Sequence, residues 1–208
     1  MTLELLAPPT VEDGLEFILS HFDDSEPMWP RTISTYATGG RQRIVRNPME
    51  VLVWFKASKL LNSRISAYPK YTDYYVNHTG IAPSLLLVDL DREQFASDEE
   101  FELVATKTYS NFKEILGSEP TQLRTGGGYH FILRQNAFIF EKYEEFKKFD
   151  QPSRRFMRWE EELLTNGKGD QNHWSTVSFN NCMLRVPGSL NANLVRFDDK
   201  HNIVDIPP

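Results

Sequence analysis

The chain lacks the cysteines that a disulfide framework or a thiolate-rich zinc site would need. Its 208 residues include one cysteine, Cys182, among apolar neighbours where a buried structural thiol is expected. It also lacks long apolar runs, because no stretch approaches the roughly 20 apolar residues that span a bilayer. The first ten residues carry no basic segment leading into an apolar one, as a secretory signal would. We therefore expect a cytoplasmic protein with no membrane partner.

An excess of positive charge is missing as well. The formal net charge is -6 and the isoelectric point is near 5.4, so the field of the whole molecule does not indicate a nucleic-acid-binding protein. Any such binding has to come from a local basic patch. Arg41, Arg43 and Arg46 lie close together, and Lys56 follows them. These four residues are candidate nucleic-acid contacts, and the alternative is an ordinary solvated face.

The chain does contain enough apolar residues for one sizeable core. It is 40% hydrophobic and 12% aromatic, and its length predicts a single domain over residues 1–208, with one or two lobes. No internal repeat, low-complexity tract or clear linker interrupts it. Predicted helices and strands interleave without the regular alternation of a doubly wound sheet. The predicted fold class is therefore α+β.

Capping residues and apolar spacing place these elements along the chain. The predicted helices begin at Thr10, at Asn47 with an end near Leu61, at Ser97 with an end at Gly117, and over residues 137–148 and 154–165. The predicted strands lie in the segments RISAYP, SLLLVDL, GGGYHFILR, CMLRVPG, NLVRF and NIVDI.

The clearest chemical signal is LLLVDLDREQF, residues 85–95, where an apolar strand ends in two aspartates. Residues i and i+2 of a strand point to one face with Cα atoms roughly 7 Å apart, so Asp89 and Asp91 can direct both carboxylates at one hard cation or a pair. Two such charges repel each other and lose hydration, which a divalent metal would offset. The alternative is a strand end whose aspartates cap the following turn.

A glycine-rich segment, RTGGGYHFILR, carries the second signal. Gly127 and Gly128 have no Cβ between backbone and ligand, and their amides can turn toward an anion such as a phosphate. His130 follows on the strand beside that loop. The alternative is an ordinary glycine-rich hairpin turn with a strand histidine.

The third signal is NNCMLRVPGSLNANL, residues 180–194. Arg185 precedes a Pro-Gly turn, and Ser189 and Asn191 just beyond it are small polar donors. An arginine at this place can fork onto a phosphate, and the alternative is a structural arginine at a turn.

In this order the three segments together resemble the archaeo-eukaryotic primase superfamily, particularly the small primase-polymerases of archaeal plasmids, viruses and mobile elements. The resemblance spans about residues 60–197. The family's apolar-D-x-D motif, its glycine-rich segment ending in histidine, and its R-x-P-G-S-x-[HN] element fall on Asp89 and Asp91, on His130, and on Arg185, Pro187, Gly188, Ser189 and Asn191.

The resemblance implies an RNA-recognition-motif-like core, with an antiparallel or mixed sheet packed with helices, over about residues 81–208. An N-terminal α/β lobe would occupy about residues 1–80. The implied activity is DNA-templated nucleotidyl transfer in replication, as primer synthesis or DNA polymerisation, with Mg²⁺ or Mn²⁺ as cofactor. One ion would activate a 3′-hydroxyl, and the other would bind the incoming triphosphate and stabilise pyrophosphate. The implied partners are a single-stranded DNA template, nucleoside triphosphates and, as a further candidate, a helicase or other replication subunit.

The resemblance also assigns roles to single residues. The predicted catalytic set is Asp89, Asp91 and His130, and the predicted nucleotide-binding set is Gly127, Gly128, His130, Arg185, Ser189 and Asn191. The chain departs from the family at its third carboxylate, which by counting back from Arg185 would fall on Trp174 or His173. Asp170 is the predicted replacement and third metal ligand.

Two alternatives stay open. A non-catalytic primase-like accessory subunit, or a single-stranded nucleic-acid-binding subunit, would keep the fold without the chemistry. The missing third acid favours this alternative, and the presence of Asp89, Asp91 and His130 argues against it. A metal-dependent glycosyltransferase would explain the D-x-D pattern, which such enzymes use for a metal-bound diphosphate, but would leave the R-x-P-G-S element without a role.

Overall fold

The computed structural model of the chain describes residues 10–21, 29–69, 85–134, 143–169, 182–193, 195–200 and 202–205. Within these ranges it contains the helices α1 (Val11–Leu19), α2 (Pro48–Ala57), α3 (Asp98–Leu116) and α4 (Tyr143–Leu164). The strands are β1 (Arg31–Ser34), β2 (Arg43–Val45), β3 (Arg64–Ser66), β4 (Leu85–Asp91), β5 (Thr121–Arg124), β6 (Gly128–Arg134), β7 (Met183–Arg185), β8 (Arg196–Phe197) and β9 (Ile203–Asp205). This mixed content, with antiparallel sheets, confirms the α+β class.

The first sheet joins strands from both ends of the described chain, in the order β2-β1-β3-β7. Ile33, Ile65 and Leu184 lie side by side on β1, β3 and β7, and each is almost fully buried. Successive side chains of a strand point to opposite faces. Arg64 and Arg185, one position away from this apolar row and directly opposite each other, therefore point away from the core. The antiparallel pairing of β3 with β7 thus brings two arginines from distant parts of the chain together.

The second sheet is antiparallel in the order β4-β6-β5, with β8 and β9 forming a separate two-stranded ribbon. Among the described residues from β4 to β7, the elements follow the order β4-α3-β5-β6-α4-β7, which is a β-α-β-β-α-β series. The last strand of that series, β7, pairs with β3 and not with β4. Among the described strands, β4 therefore lies at one edge of its own sheet.

Strand β4 is covered on both faces, as its apolar run predicts. Leu85, Leu86, Leu87 and Val88 are all at most 2% exposed. On the pairing strand, Phe131 is fully buried and its ring stacks 6.1 Å from that of Phe112 on α3. The polar residues of β4 are confined to its C-terminal end, where the covering stops.

The first three helices begin where their capping residues predict. The side-chain oxygens of Thr10, Asn47 and Ser97 each accept a hydrogen bond from the backbone amide three residues later, at 2.9 to 3.1 Å. Helix α2 ends at Ala57, earlier than the predicted Leu61. The backbone turns into the left-handed region directly afterwards, with φ of 53° at Lys59 and 61° at Leu60, and this ends the helix.

The two helices predicted over 137–148 and 154–165 are one helix, α4, as far as the described residues extend; residues 137–142 lie outside them. The helix continues through Pro152. A proline inside a helix removes one backbone hydrogen bond, but most helix stability in proteins comes from packing of the apolar face. Met157 and Leu164 provide that packing, since both are buried.

Three short strands were not predicted. β1, β2 and β5 contain three or four residues each, and their sequences RTIS, RIV and TQLR carry few apolar residues. Such segments give almost no periodicity to detect. Within the described ranges, no helix combines the length and the apolar character required to cross a membrane.

Candidate metal and nucleotide site

The two aspartates at the end of β4 point to the same side of the sheet. Leu90 between them is fully buried, whereas Asp89 and Asp91 are half-buried, which is the alternation expected for a strand with one face on the core. The main chain then turns away, because the Arg92 amide donates to the Gly127 carbonyl at 2.8 Å. The predicted convergence of the two carboxylates on one face is what the structure shows. We call Asp89 and Asp91 the acidic wall.

His130 lies directly opposite Asp89 in the ladder between β4 and β6. Its Nε2 atom is 3.5 Å from Oδ1 of Asp89, and the two side chains are only 12% and 14% exposed. Oδ1 of Asp89 and Nδ1 of His130 are both buried without a hydrogen-bond partner among the described residues. Buried polar atoms normally have a partner. Their polar capacity is therefore unused among the described residues, although both side chains line the cleft.

The two glycines of the predicted phosphate loop have different surroundings. A Cβ added at Gly127 would lie 3.7 Å from Oδ1 of Asp91, an ordinary contact, whereas a Cβ at Gly128 would lie 1.8 Å from the carbonyl oxygen of Leu90. Gly128 is thus required by the close pairing of β6 with β4. The amide of Gly127 already donates to Oγ1 of Thr125 at 3.3 Å, so it is not aimed at open solvent.

Arg185 approaches the acidic wall from the other sheet. It is half-buried, and its NH1 nitrogen has no hydrogen-bond partner among the described residues. Burial lowers the pKa of Arg185, and so does the positive charge of Arg64, while the charges of Asp89 and Asp91 act in the opposite direction. We call Arg64 and Arg185 the basic wall.

Both walls line one cleft of about 710 Å³. Six residues predicted from the sequence border it, and they come from all three motifs: Asp89, Asp91, Gly127, His130, Arg185 and Asn191. The cleft lies between the two sheets, because Arg64 and Arg185 belong to the first and Asp89 and His130 to the second. Segments that are distant in the sequence therefore meet at one place.

Two predicted nucleotide-binding residues lie outside the lining of this cleft. Gly128 lines a smaller adjoining pocket on the far side of the glycine loop. The hydroxyl of Ser189 donates to the Ser63 carbonyl at 3.4 Å, and its amide donates to the Val186 carbonyl at 3.1 Å. These bonds hold the turn after β7, which places Arg185 and Asn191.

The predicted nucleic-acid contacts are surface residues that do not line the cleft. Arg41 and Arg43 are exposed on either side of Gln42, which does line it, and Arg46 is exposed at the end of β2. Lys56 is part of an ion pair with Glu12 of α1, at 2.6 Å. The predicted third metal ligand, Asp170, lies outside the described residues, as do His173 and Trp174.

Several residues that line the cleft were not assigned to it from the sequence. Two of them, Arg64 and Arg92, are positively charged. Arg64 stands in NSRIS as one of several scattered basic residues that could form a nucleic-acid patch, and only knowledge of the β3–β7 pairing would have assigned it to the cleft. Arg92 directly follows the D-x-D motif, but its guanidinium contacts Asp98 and donates to the Phe95 carbonyl at 3.0 Å, so it also holds the start of α3. The other unpredicted lining residues are Ser34, Gly40, Gln42, Asn62, Glu93, Thr125, Gly126, Met183 and Asn193.

A third carboxylate, Glu161 of α4, lies behind the acidic wall. Its side chain is 1% exposed, and Oε2 accepts a hydrogen bond from NH1 of Arg158 at 2.8 Å. Burial raises the pKa of Glu161 to about 7; the charge of Arg158 opposes this rise, and the charge of Asp89 adds to it. A hydrogen bond from the backbone of Asp89 favours the ionised form of Glu161. Glu161 is thus electrostatically coupled to Asp89, although it does not line the cleft. Nothing in its helical sequence neighbourhood marks it.

The donor set at the acidic wall suits a hard divalent cation. Mg²⁺ commonly binds through one or two carboxylates and completes its shell with water and substrate phosphates. Asp89 and Asp91 supply such a pair, and Oδ1 of Asp89 has no hydrogen-bond partner among the described residues. Among the described residues, no group of three or more His, Cys, Asp or Glu side chains is placed to hold a metal ion. A metal bound here would therefore need ligands in addition to these two carboxylates.

Comparison with known proteins finds no matching family model, no matching curated protein and no matching solved structure. The functional conclusion therefore depends on the chemistry of the cleft itself.

Proposed function

We propose that the protein is a metal-dependent nucleotidyltransferase of the primase-polymerase kind, which joins nucleotides on a single-stranded DNA template. One observation carries the proposal: residues of all three sequence motifs line the same cleft. A chance resemblance in three short segments gives no reason for them to meet. Their meeting supports a common ligand.

The arrangement of strands gives further support. The order β4-α3-β5-β6-α4-β7 is the β-α-β-β-α-β series of an RNA-recognition-motif-like core, and β4-β6-β5 are neighbours in the sheet as that core requires. The last described strand of the series, β7, pairs with β3. This pairing lies beside the cleft, which Arg185 of the R-x-P-G-S element lines.

The chemistry follows from the two walls. Asp89 and Asp91 would hold Mg²⁺ or Mn²⁺, which when bound lowers the pKa of a 3′-hydroxyl and stabilises negative charge on the transferring phosphate. His130 lines the cleft beside Asp89 and would donate from its ring to a phosphate oxygen. Arg185 lines it from the opposite sheet and would donate from its guanidinium group.

Template binding would use the exposed arginines beside the cleft. Arg41 and Arg43 are exposed on either side of Gln42, which lines the cleft, so positive charge lies near its rim. The net charge of the whole chain is -6. Binding should therefore be modest and strongly salt-dependent, because few phosphates are neutralised and the overall field repels the strand.

A second candidate is a non-catalytic, single-stranded nucleic-acid-binding or primase-accessory subunit. One observation favours it: among the described residues, the acidic wall has two carboxylates and no third. Such a subunit would keep the basic wall and the exposed arginines but would not transfer nucleotides.

The test is extension of a primed and an unprimed DNA template with labelled nucleoside triphosphates, in Mg²⁺ and separately in Mn²⁺, together with single-stranded DNA binding. We expect template-dependent extension in at least one metal. DNA binding without extension in either metal would support the accessory subunit. If the protein neither extends nor binds DNA, both proposals are wrong, and hydrolysis of nucleotide sugars then tests the glycosyltransferase alternative.

A further inference from the structure

The basic wall contains two like charges in direct cross-strand register. Arg64 and Arg185 are Cα partners in the antiparallel pair of β3 and β7, so their Cβ atoms lie about 5 Å apart on the same face. Like charges in this position destabilise a sheet. The pairing therefore carries an electrostatic cost in the protein without a ligand.

The acidic wall acts against this cost. The charges of Asp89 and Asp91 do favour the ionised Arg185, but each has a smaller effect on its pKa than the opposing charge of Arg64, and burial has the largest effect. Within the described ranges, neither arginine makes an ion pair or a side-chain hydrogen bond. NH1 of Arg185 is buried with no partner there. The two arginines thus stand in cross-strand register, with Arg64 exposed and one buried donor of Arg185 without a partner among the described residues.

The surroundings of the two arginines fit an anion. Ser34, Asn62 and Asn191 line the cleft beside them, and all three are neutral side chains that can donate hydrogen bonds. The carboxylates that line the cleft belong to the segment from Asp89 to Glu93, on the other sheet. An anion that reaches the basic wall would therefore meet donors there and would keep its remaining oxygens toward the acidic wall.

We infer that Arg64 and Arg185 form a two-arginine clamp for the polyphosphate chain of the incoming nucleotide. The inference deepens the proposed function and rests on it, because it names the part of the substrate that the basic wall takes. It adds Arg64, which no sequence motif marks, as a binding residue. A terminal phosphate offers three oxygens to two guanidinium forks and can enter a cleft end-on. A phosphodiester offers two oxygens and runs along a surface, so the partly buried donor of Arg185 favours the polyphosphate.

The test uses inorganic tripolyphosphate without divalent metal, so that neither catalysis nor the metal site affects the result. Calorimetric titration of wild type, Arg64→Gln, Arg64→Lys and Arg155→Gln at low ionic strength gives the affinities. Arg155 is an exposed arginine of α4 that does not line the cleft, and it controls for the loss of one positive charge. We expect Arg64→Gln to weaken binding by about tenfold or more, since it removes a charge-assisted bidentate contact. The affinity of Arg64→Lys should lie between those of wild type and Arg64→Gln, because lysine keeps the positive charge but cannot make the bidentate contact of a guanidinium group.

Thermal unfolding without phosphate adds a second measurement. In it, the substitution that weakens phosphate binding should not lower stability. Arg64→Gln should be as stable as wild type or more stable, because the substitution relieves the like-charge repulsion. Tripolyphosphate should then raise the unfolding temperature of wild type more than that of the variant. A purely structural arginine would show the reverse, with lower stability and an unchanged response to phosphate.

The outcomes separate the clamp from the proposed function. Tripolyphosphate affinity equal to wild type in Arg64→Gln, or no binding by wild type, overturns the clamp even if the protein extends templates. Binding that depends on Arg64 in a protein that extends no template supports the clamp and contradicts the proposed function. If Arg64→Gln weakens binding of an oligonucleotide without terminal phosphates and spares tripolyphosphate, the arginine pair holds a nucleic-acid strand and the clamp assignment is wrong.

Discussion

The two walls of the cleft differ in how the chain builds them. The acidic wall comes from one strand, where Asp89 and Asp91 stand two positions apart. The basic wall comes from two strands, β3 and β7, which are far apart in the sequence. A wall made by local spacing is visible in the sequence, whereas a wall made by strand pairing is visible only in part. A motif marks Arg185, but its neighbour Arg64 joins the cleft only through the pairing of β3 with β7.

The largest expected effect is on the acidic wall. Asp89→Ala or Asp91→Ala should reduce template extension by at least about a hundredfold, because each removes a hard oxygen ligand from the proposed metal site. Stability in the metal-free protein should hold or rise, since one of two repelling charges is gone. Extension rates and thermal unfolding in EDTA measure both. Asp199→Ala, at an exposed turn position between β8 and β9, is the matched control. Wild-type extension by either cleft variant would exclude that aspartate from the mechanism.

A smaller effect concerns the two glycines beside the acidic wall, Gly127 and Gly128. Gly128→Ala places a Cβ 1.8 Å from the Leu90 carbonyl oxygen, and Gly127→Ala places one 3.7 Å from Oδ1 of Asp91. The first should destabilise the protein by about 3 kcal/mol, because two paired backbones would have to move apart. The second should change stability by less than about 0.5 kcal/mol. Urea unfolding of both variants measures the difference. Equal destabilisation would mean that the close approach of β6 to β4 is not what requires glycine.

Prediction from the sequence succeeded where the signal is local. The caps at Thr10, Asn47 and Ser97 set the helix starts, and uniform apolar character marked β4, because each of these features depends on neighbours in the chain. It failed where partners are distant. Arg64 gains its neighbour only when β3 pairs with β7, and Glu161 reaches Asp89 only when α4 packs beside β4. A single sequence shows which residues can do chemistry, but the pairing of strands decides which of them meet.

The smallest of the effects concerns Glu161, the carboxylate behind the acidic wall. Its pKa is raised to about 7 from an ordinary value of 4.5, chiefly by burial and with a contribution from Asp89. Below the ordinary value Glu161 is protonated in both the folded and the unfolded chain. As the pH rises from 4.5 to 7, the unfolded chain releases the proton first, so the free energy of unfolding falls. Above pH 7 both states are ionised and the loss is complete, at about 3 kcal/mol or less.

Glu161→Gln removes this titration while keeping a side chain of nearly the same shape. In metal-free buffer, the stability of the variant relative to wild type should therefore increase by about 2 kcal/mol between pH 4.5 and pH 8. Urea unfolding at four or five pH values measures this relative change, in which the titrations common to both proteins cancel. Glu162→Gln is the matched control, because that neighbour is about half-exposed and lies 3.8 Å from the same Arg158. In an Asp89→Asn background the relative change should become smaller, since Asp89 contributes to the raised pKa. If the free energy of unfolding of Glu161→Gln follows the same pH dependence as that of wild type, burial does not raise the pKa of Glu161. The proposed electrostatic coupling of Glu161 to Asp89 is then wrong.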